Sequence, residues 1–436
     1  MLDIIQQILE KAGKVAQSAE VFMFTSEETP ILFEANRLKS LQSKESRSIS
    51  LRIFKNGHIG FATSNKLEDA DFLVQSAIET AQFGAPANFE LPANTRFPAV
   101  DTYDPMTKKV SLETMVNLGN EMISALTEHT PDILCEANIS RNTLSINIAN
   151  SSGMEAAYNK SGFAIGVEGT VIHGSDMLFV GESENSCHPV LDTAKVLQSV
   201  RLQLDRAKNQ AKITTGKLPV IFTPDGLASA LISPLMAALN GKIVLEGASP
   251  LGNKLGEQVF DPKFNLYDDA TITFRSGSRP FDDEGVVSKR LSLVEHGIPK
   301  NFYYDLKTAA LAHKTSTGHG GRGGGLPSPS PSSFIISDGQ TSPEDMLSDI
   351  EEGLYIEALM GATQGNVLGG DFSGNVLLGY RIEHGKITGR VKDTMVFGNV
   401  YDLLKNITAV GNDSRWVGGR LRAPSIYCPA ISVASK

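Results

Sequence analysis

The sequence predicts an α+β fold in two domains, residues 1–216 and 217–436, with mainly antiparallel sheets. Three observations carry this. The chain has 436 residues, 41 % of them hydrophobic and 20 % charged, which is more than one ordinary core accommodates. Its β-like segments are short and separated by polar or glycine-containing breaks, the pattern of antiparallel hairpins. Strands do not alternate regularly with helices, which argues against a doubly wound parallel sheet.

Taken in order, Leu2, Ile4, Ile5, Ile8, Leu9 and Ala12 recur at helical spacing, so the chain opens on an amphipathic helix. EVFMFT, ILFEA, RSISLRIF and HIGFATS then read as separate short strands. LEDADFLVQSAIETAQF switches to a helical period, with Leu67, Ala70, Phe72, Leu73, Ala77 and Ile78 on one face. The proline-rich stretch PANFELPANTRFPAVDTYDP is a connection, and SLETMVNLGNEMISAL is helical. ILCEANIS, LSINIANSSG, FAIGVEGTVIHG and DMLFVGES are strand-like, and an amphipathic helix from Leu191 to Lys212 closes the first half.

Thr214, Thr215 and Gly216 mark the boundary; PVIFT is a buried strand, and Pro224 with Asp225 opens a helix. The second domain is richer in glycine and loops. Its strand-like segments are TITFRS, SFIIS, LYIEALMG, LLGYRIEHGKITGRV and SIYCPAISVAS. His384 and Gly385 fit a hairpin turn. SPEDMLSDIEEG starts a helix, with Ser342 as N-cap, Pro343 in the first turn and Asp345 as the capping carboxylate.

The net charge is −9, and no run of five Lys or Arg occurs, which argues against nucleic acid as the main ligand. No apolar run reaches eighteen residues, and the start lacks the basic and apolar regions of a signal peptide, so a cytoplasmic protein is expected. Cys135, Cys187 and Cys428 are odd in number and far apart, giving neither a disulfide framework nor a metal knuckle. Cys187 and His188 are adjacent, which in a strand puts them on opposite faces.

The segment STGHGGRGGGLPSPSPSS, residues 316–333, matches GxGxxG through Gly318, Gly320 and Gly323. A dinucleotide site needs a helix after the glycines, and LPSPSPSS cannot form one. His319 and Arg322 are chemical candidates within this loop, since glycines let backbone N–H groups approach a ligand and Arg pairs with carboxylates. Asp282, Asp283, Glu284 and Gly285 form an acidic turn that either caps and bends the chain or contributes to a cation site. No two histidines stand at i, i+4 or i, i+5, and HExxH, GxSxG and a phosphate-binding GxxxxGK[ST] are all absent.

The runs SGSRPFDDEGVVSKRLSLVEHGI, STGHGGRGGG, SPEDMLSDIEEGLYIEALMG, GGDFSGNVLLGYRIEHGKITGRV and VFGNVYDLLKNITAVGND, in that order, resemble the TldD/PmbA family. NRLKSLQSKESRSISLRIFKNGHIGFATSN extends the likeness into the first half. Members are described as peptidase subunits and as modulators of DNA gyrase. In the TldD branch an HExxxH helix supplies two zinc-binding histidines and a catalytic Glu; the PmbA branch, also called TldE, lacks it. Counted back from GASPLGNKLGE, the corresponding helix is GLASALISPLMAAL, with the histidine positions falling near Ile232 and Ala237. No histidine lies between His188 and His296.

The resemblance therefore implies a PmbA/TldE-type subunit of a zinc metallopeptidase acting on short unstructured peptides, with no catalytic residue and no metal ligand of its own. Zinc is expected in a TldD-type partner, joined as a heterodimer, with a homodimer as the form of the isolated chain. The resemblance implies, by motif position, peptide binding at Arg275, Asp283, Glu284, Gly285, Gly318, His319, Gly320 and Arg322, the last four in a loop of the family type STGxxxR. Two other readings remain: a regulatory binding protein of the gyrase-modulator type, and a hydrolase built from His319, Arg322, Asp283 and Glu284.

Overall fold

The computed structural model describes residues 2–66 and 69–435. It is a mixed α+β structure whose strand pairing is mainly antiparallel. The first sheet runs, in spatial order, His58–Ser64, Lys44–Lys55, Ser18–Glu34, Leu134–Asn150, Glu155–His173 and Asp176–Ser186, with Arg37–Leu41 added alongside Ser18–Glu34. Every pair in it is antiparallel.

The strands are longer than the sequence predicts. EVFMFT and ILFEA belong to one 17-residue strand, Ser18–Glu34, and ILCEANIS and LSINIANSSG to another, Leu134–Asn150. At about 3.3 Å per residue each spans roughly 55 Å. The polar stretch SEET breaks the hydrophobic pattern without breaking the ladder, because Ser26 to Thr29 keep partners on Leu134–Asn150.

Length lets one strand serve two cores. At its start Ala19, Val21 and Met23 pack under the helices Leu2–Gly13 and Ala70–Ala81. Toward its end Ile31 and Phe33 pack under Leu112–His129 and Ala194–Arg206. Alternation sends Phe22 and Phe24 to the opposite face, which carries no helix of these two sets and forms a wall of the cleft described below.

The helix Ala70–Ala81 is capped by Asp69, whose carboxylate accepts from Phe72 N–H, and it buries Leu73 and Ala77 as expected. Phe72 is exposed instead, because it sits about 100° from Leu73 on the helix, and Leu67 lies outside the described residues. The closing helix is shorter than Leu191–Lys212: it runs Ala194–Arg206, after which Gln210 and Ala211 pair in parallel with Arg390 and Val391.

The second sheet contains Glu352–Met360, Gly216–Phe222, Ile426–Ser435, Thr394–Asn399, Asp371–Glu383, Lys386–Val391 and Gln210–Ala211. Glu352–Met360 also pairs with Asp371–Glu383, so the first five of these strands close into a ring. Both faces are buried: Val220 and Phe222 join one core, and Ile221, Tyr355, Tyr380 and Tyr427 the other. His384 and Gly385 occupy the hairpin turn with positive φ, and Ser342 caps the helix Pro343–Ser348 by accepting from Asp345 N–H, as the sequence indicates.

A third sheet joins Ile298–Pro299, Arg290–Glu295, Leu266–Asp269, Phe334–Ile336, Leu421–Ala423 and Arg415–Val417. TITFRS is not a strand but a series of turns, with Phe274 in the left-handed region. The segment GLASALISPLMAAL forms two short helices, Pro224–Ala230 and Ile232–Ala238. Pro234 explains the break, since it has no N–H for the carbonyl of Ala230 and its ring crowds that carbonyl.

Candidate functional site

A cleft of about 850 Å³ opens between the helix-free face of the first sheet and the glycine-rich loop. The period of two explains its sheet wall. Phe22 and Phe24 point the same way, and their cross-strand neighbours Ser50, Ser48 and Ile146 share that face, as do Leu144, Tyr158 and Lys160 further across. The opposite wall is the loop. Gly320–Gly321 and Ser328–Pro329 form a two-stranded ladder, so the glycine-rich loop is a small hairpin carrying Arg322 to Gly325 toward the cleft.

A buried ionic cluster holds that hairpin against the sheet. Glu20 and Arg52 are directly opposite on adjacent strands and both are buried. Arg52 Nη2 donates to Glu20 Oε2 at 2.7 Å, and Nη1 donates to Glu284 Oε1 at 2.6 Å, across 232 residues. Arg322 Nη2 donates to the other Glu20 oxygen, and the Arg322 guanidinium lies 4.9 Å over the Phe22 ring. Burial would lower the Arg52 pKa, but Glu20 and Glu284 outweigh it and hold the guanidinium charged. Burial pushes the Glu284 carboxyl up to about 7 against the pull of Arg52.

The acidic turn is the hairpin's anchor. Asp282 Oδ1 accepts from Glu284 N–H and Val286 N–H, both at 2.9 Å, and Oδ2 accepts from Gly320 N–H at 2.7 Å. Asp283 accepts from Arg322 N–H at 2.8 Å through Oδ2, and its carbonyl accepts from Arg322 Nε at 3.0 Å. Burial raises the Asp282 carboxyl, with Arg279 opposing. Gly285 completes the turn at φ +76, and Gly318 at φ +77 approaches the Val287 carbonyl so closely that a Cβ would lie 2.7 Å from its oxygen.

His319 is buried. Its Nε2 stands 3.0 Å from Asp268 Oδ1 and its Nδ1 3.0 Å from the Thr317 carbonyl, so both ring nitrogens are satisfied inside. His319 and Glu284 thus brace the loop from behind, whereas Asp283 and Arg322 line the cleft. Gly318 and Gly320 sit at the hairpin base. Arg275 does not join them: its guanidinium stacks 4.9 Å over Trp416 at a second cavity of about 420 Å³, with Arg206, Glu357 and Arg415. The acids of the 282–284 turn are consumed by these bonds, which answers the choice between turn and cation site in favour of the turn.

Sequence reasoning missed Glu20, Arg52, Lys160 and Arg279. Lys160 Nζ donates to the carbonyls of Ser276 and, at 2.8 Å, Ser278, and burial lowers its pKa to about 8. The available signal was weak: a charged residue inside an otherwise apolar strand, as Arg52 is between Leu51 and Ile53. Cys187 is buried and its thiol pKa is raised by burial, while His188 turns to Asp104 at 2.6 Å, so they form no nucleophile and base pair.

The positions counted as metal ligands do not fit a metal. Ile232 belongs to the buried apolar core with Leu235 and Leu239, and Ala237 has no donor atom in its side chain. Among the described residues no group of three or more His, Cys, Asp and Glu could hold an ion. Among the same residues no helix is long and apolar enough to cross a membrane.

Comparison with known proteins gives a consistent picture. Residues 215–435 match the PmbA/TldA metallopeptidase C-terminal domain, and residues 19–81 match domain 1 of the same metallopeptidases. An uncharacterized protein of Methanocaldococcus jannaschii is 27 % identical over 97 % of this chain and 98 % of its own length. The metalloprotease PmbA homolog of Haemophilus influenzae is 25 % identical over 93 % of this chain and 90 % of its own. Among solved structures, TldE from Thermococcus kodakarensis superposes with a TM-score of 0.89 at 21 % identity, covering 99 % of this chain and 100 % of that one. The chain belongs to the PmbA/TldD metallopeptidase family.

Proposed function

We propose that this chain is a non-catalytic, peptide-gripping subunit of a zinc metallopeptidase, acting with a TldD-type chain that supplies the zinc, the activated water and the general base. The observation that carries the reading is the apolar character of the positions where the active branch has ligands: Ile232 is packed into the core and Ala237 is a methyl side chain. Neither can bind Zn²⁺ or lower the pKa of its water.

The cleft supports the gripping role. Gly321 to Gly325 offer backbone groups at the rim of a two-stranded ladder, and an extended peptide can add to such an edge while its side chains alternate between walls. Asp283 and Arg322 fix the rim, and Glu284 and His319 brace it from within. No step of bond cleavage is assigned to this chain.

The test is hydrolysis of a labelled unstructured peptide by the chain alone and mixed with a TldD-type chain from the same source, with zinc content measured on each. Turnover only in the mixture, lost with a chelator, is the expected result. Turnover by the pure chain overturns the reading.

A further inference from the structure

Four basic side chains line the 850 Å³ cleft, Lys160, Arg279, Arg322 and Arg420, against the single carboxylate of Asp283. This is the reverse of the chain as a whole, whose net charge is −9. The carboxylates behind the wall are already engaged: Glu20 by Arg52 and Arg322, Asp282 by three backbone N–H groups. Lys160 is bonded to carbonyl oxygens rather than to a carboxylate.

A second, independent observation favours an anionic ligand. The Arg322 side chain is 4 % exposed, yet its Nη1 has no hydrogen-bond partner. Leaving a buried guanidinium N–H unpaired is costly, and a carboxylate oxygen is the partner its planar fork suits best.

The apolar half of the cleft meets the cationic half at one place. Arg322 lies over Phe22, and Phe24, Ile146 and Tyr158 continue the apolar surface from there. A ligand filling that junction needs an anionic group and an apolar group on neighbouring atoms. The last residue of a peptide has both on one carbon, an α-carboxylate and its side chain.

Building on the peptide-gripping role above, we propose that the cleft binds the free C-terminus of a peptide, with the α-carboxylate on Arg322 and Lys160 and an aromatic or aliphatic last side chain against Phe22 and Tyr158.

The experiment is fluorescence anisotropy with the full chain and four N-terminally labelled hexapeptides: one ending in Phe as the free acid, the same peptide amidated, one ending in Gly as the free acid, and an amidated one with an internal Asp. The Phe acid is expected to bind about tenfold more tightly than its amide, as loss of one charge-assisted bond implies. Lys160→Gln is expected to weaken the acid more than the amide, and Arg420→Ala, at an exposed position lining the same cleft, to weaken the acid and leave the amide unchanged. Equal binding of acid and amide overturns the proposal while the gripping role stands. Tight binding of the internal Asp peptide overturns it in favour of a side-chain carboxylate. Binding of none of the four removes both readings.

Discussion

Replacing Arg52 with Met removes the one side chain that ties the first sheet to the 281–285 turn through charge. The variant keeps the aliphatic bulk but strips a partner from two buried carboxylates, Glu20 and Glu284. Breaking a buried ion pair costs about 3–5 kcal/mol, and at about 2–4 °C per kcal/mol for a unit near 200 residues, melting falls by roughly 6–20 °C. The loss depends on pH with a definite sign. Glu284 has a folded pKa of about 7, above its ordinary 4.5, so the folded chain holds that proton more tightly than the unfolded one. Its contribution to stability therefore declines as pH rises from about 4.5 through about 7. At pH 5.5 Glu284 is protonated in the folded protein with or without Arg52, so the substitution breaks one ion pair, that with Glu20, and only a neutral hydrogen-bond acceptor is left at Glu284. Differential scanning calorimetry of wild type and Arg52→Met at pH 5.5 and pH 8 reads the effect. A melting shift below 3 °C at pH 8, or a shift as large at pH 5.5, refutes the reasoning.

The same sign applies at the second cavity, where burial raises Glu357 to about 7 despite Arg206 at 3.3 Å. Glu357→Gln is expected to flatten the fall in stability between pH 5 and pH 8 by up to about 3.5 kcal/mol, from 2.5 pKa units at about 1.4 kcal/mol each; an unchanged profile counts against it. Gly320→Ala places a Cβ 2.6 Å from Glu284 Oε2 and 3.0 Å from Asp282 Oδ2, both fixed by other bonds. It is expected to destabilise the chain by about 1–3 kcal/mol and to weaken peptide binding, whereas Gly323→Ala, with open space around it, leaves melting unchanged. Equal melting of the two alanine variants shows that the hairpin is not clamped by the acidic turn.

Local signals were legible where the physics is local. The cap at Ser342, the turn at His384 and Gly385 and the first helix depend on residues within a few positions of one another. Strand ends were not, because Ser26 to Thr29 stay in the ladder through partners on other strands, Lys44–Lys55 on one side and, more than 110 residues away, Leu134–Asn150 on the other. TITFRS failed as a strand for a related reason: its alternation is present, but its chain turns to pack Phe274 against His188, with ring centroids 3.8 Å apart.

By itself, the sequence determined the α+β class, the absence of a histidine pair where a metal helix would stand, and the family to which the motifs belong. These are properties of residue type and order. Only the tertiary structure decided that Glu20, Arg52, Glu284 and Arg322 form one ionic cluster, and that His319 braces the loop rather than facing the cleft. The distinction lies in the cost of burying charge: a carboxylate or guanidinium enters a core only when partners from distant segments arrive with it, and no short stretch of sequence records which partner that will be.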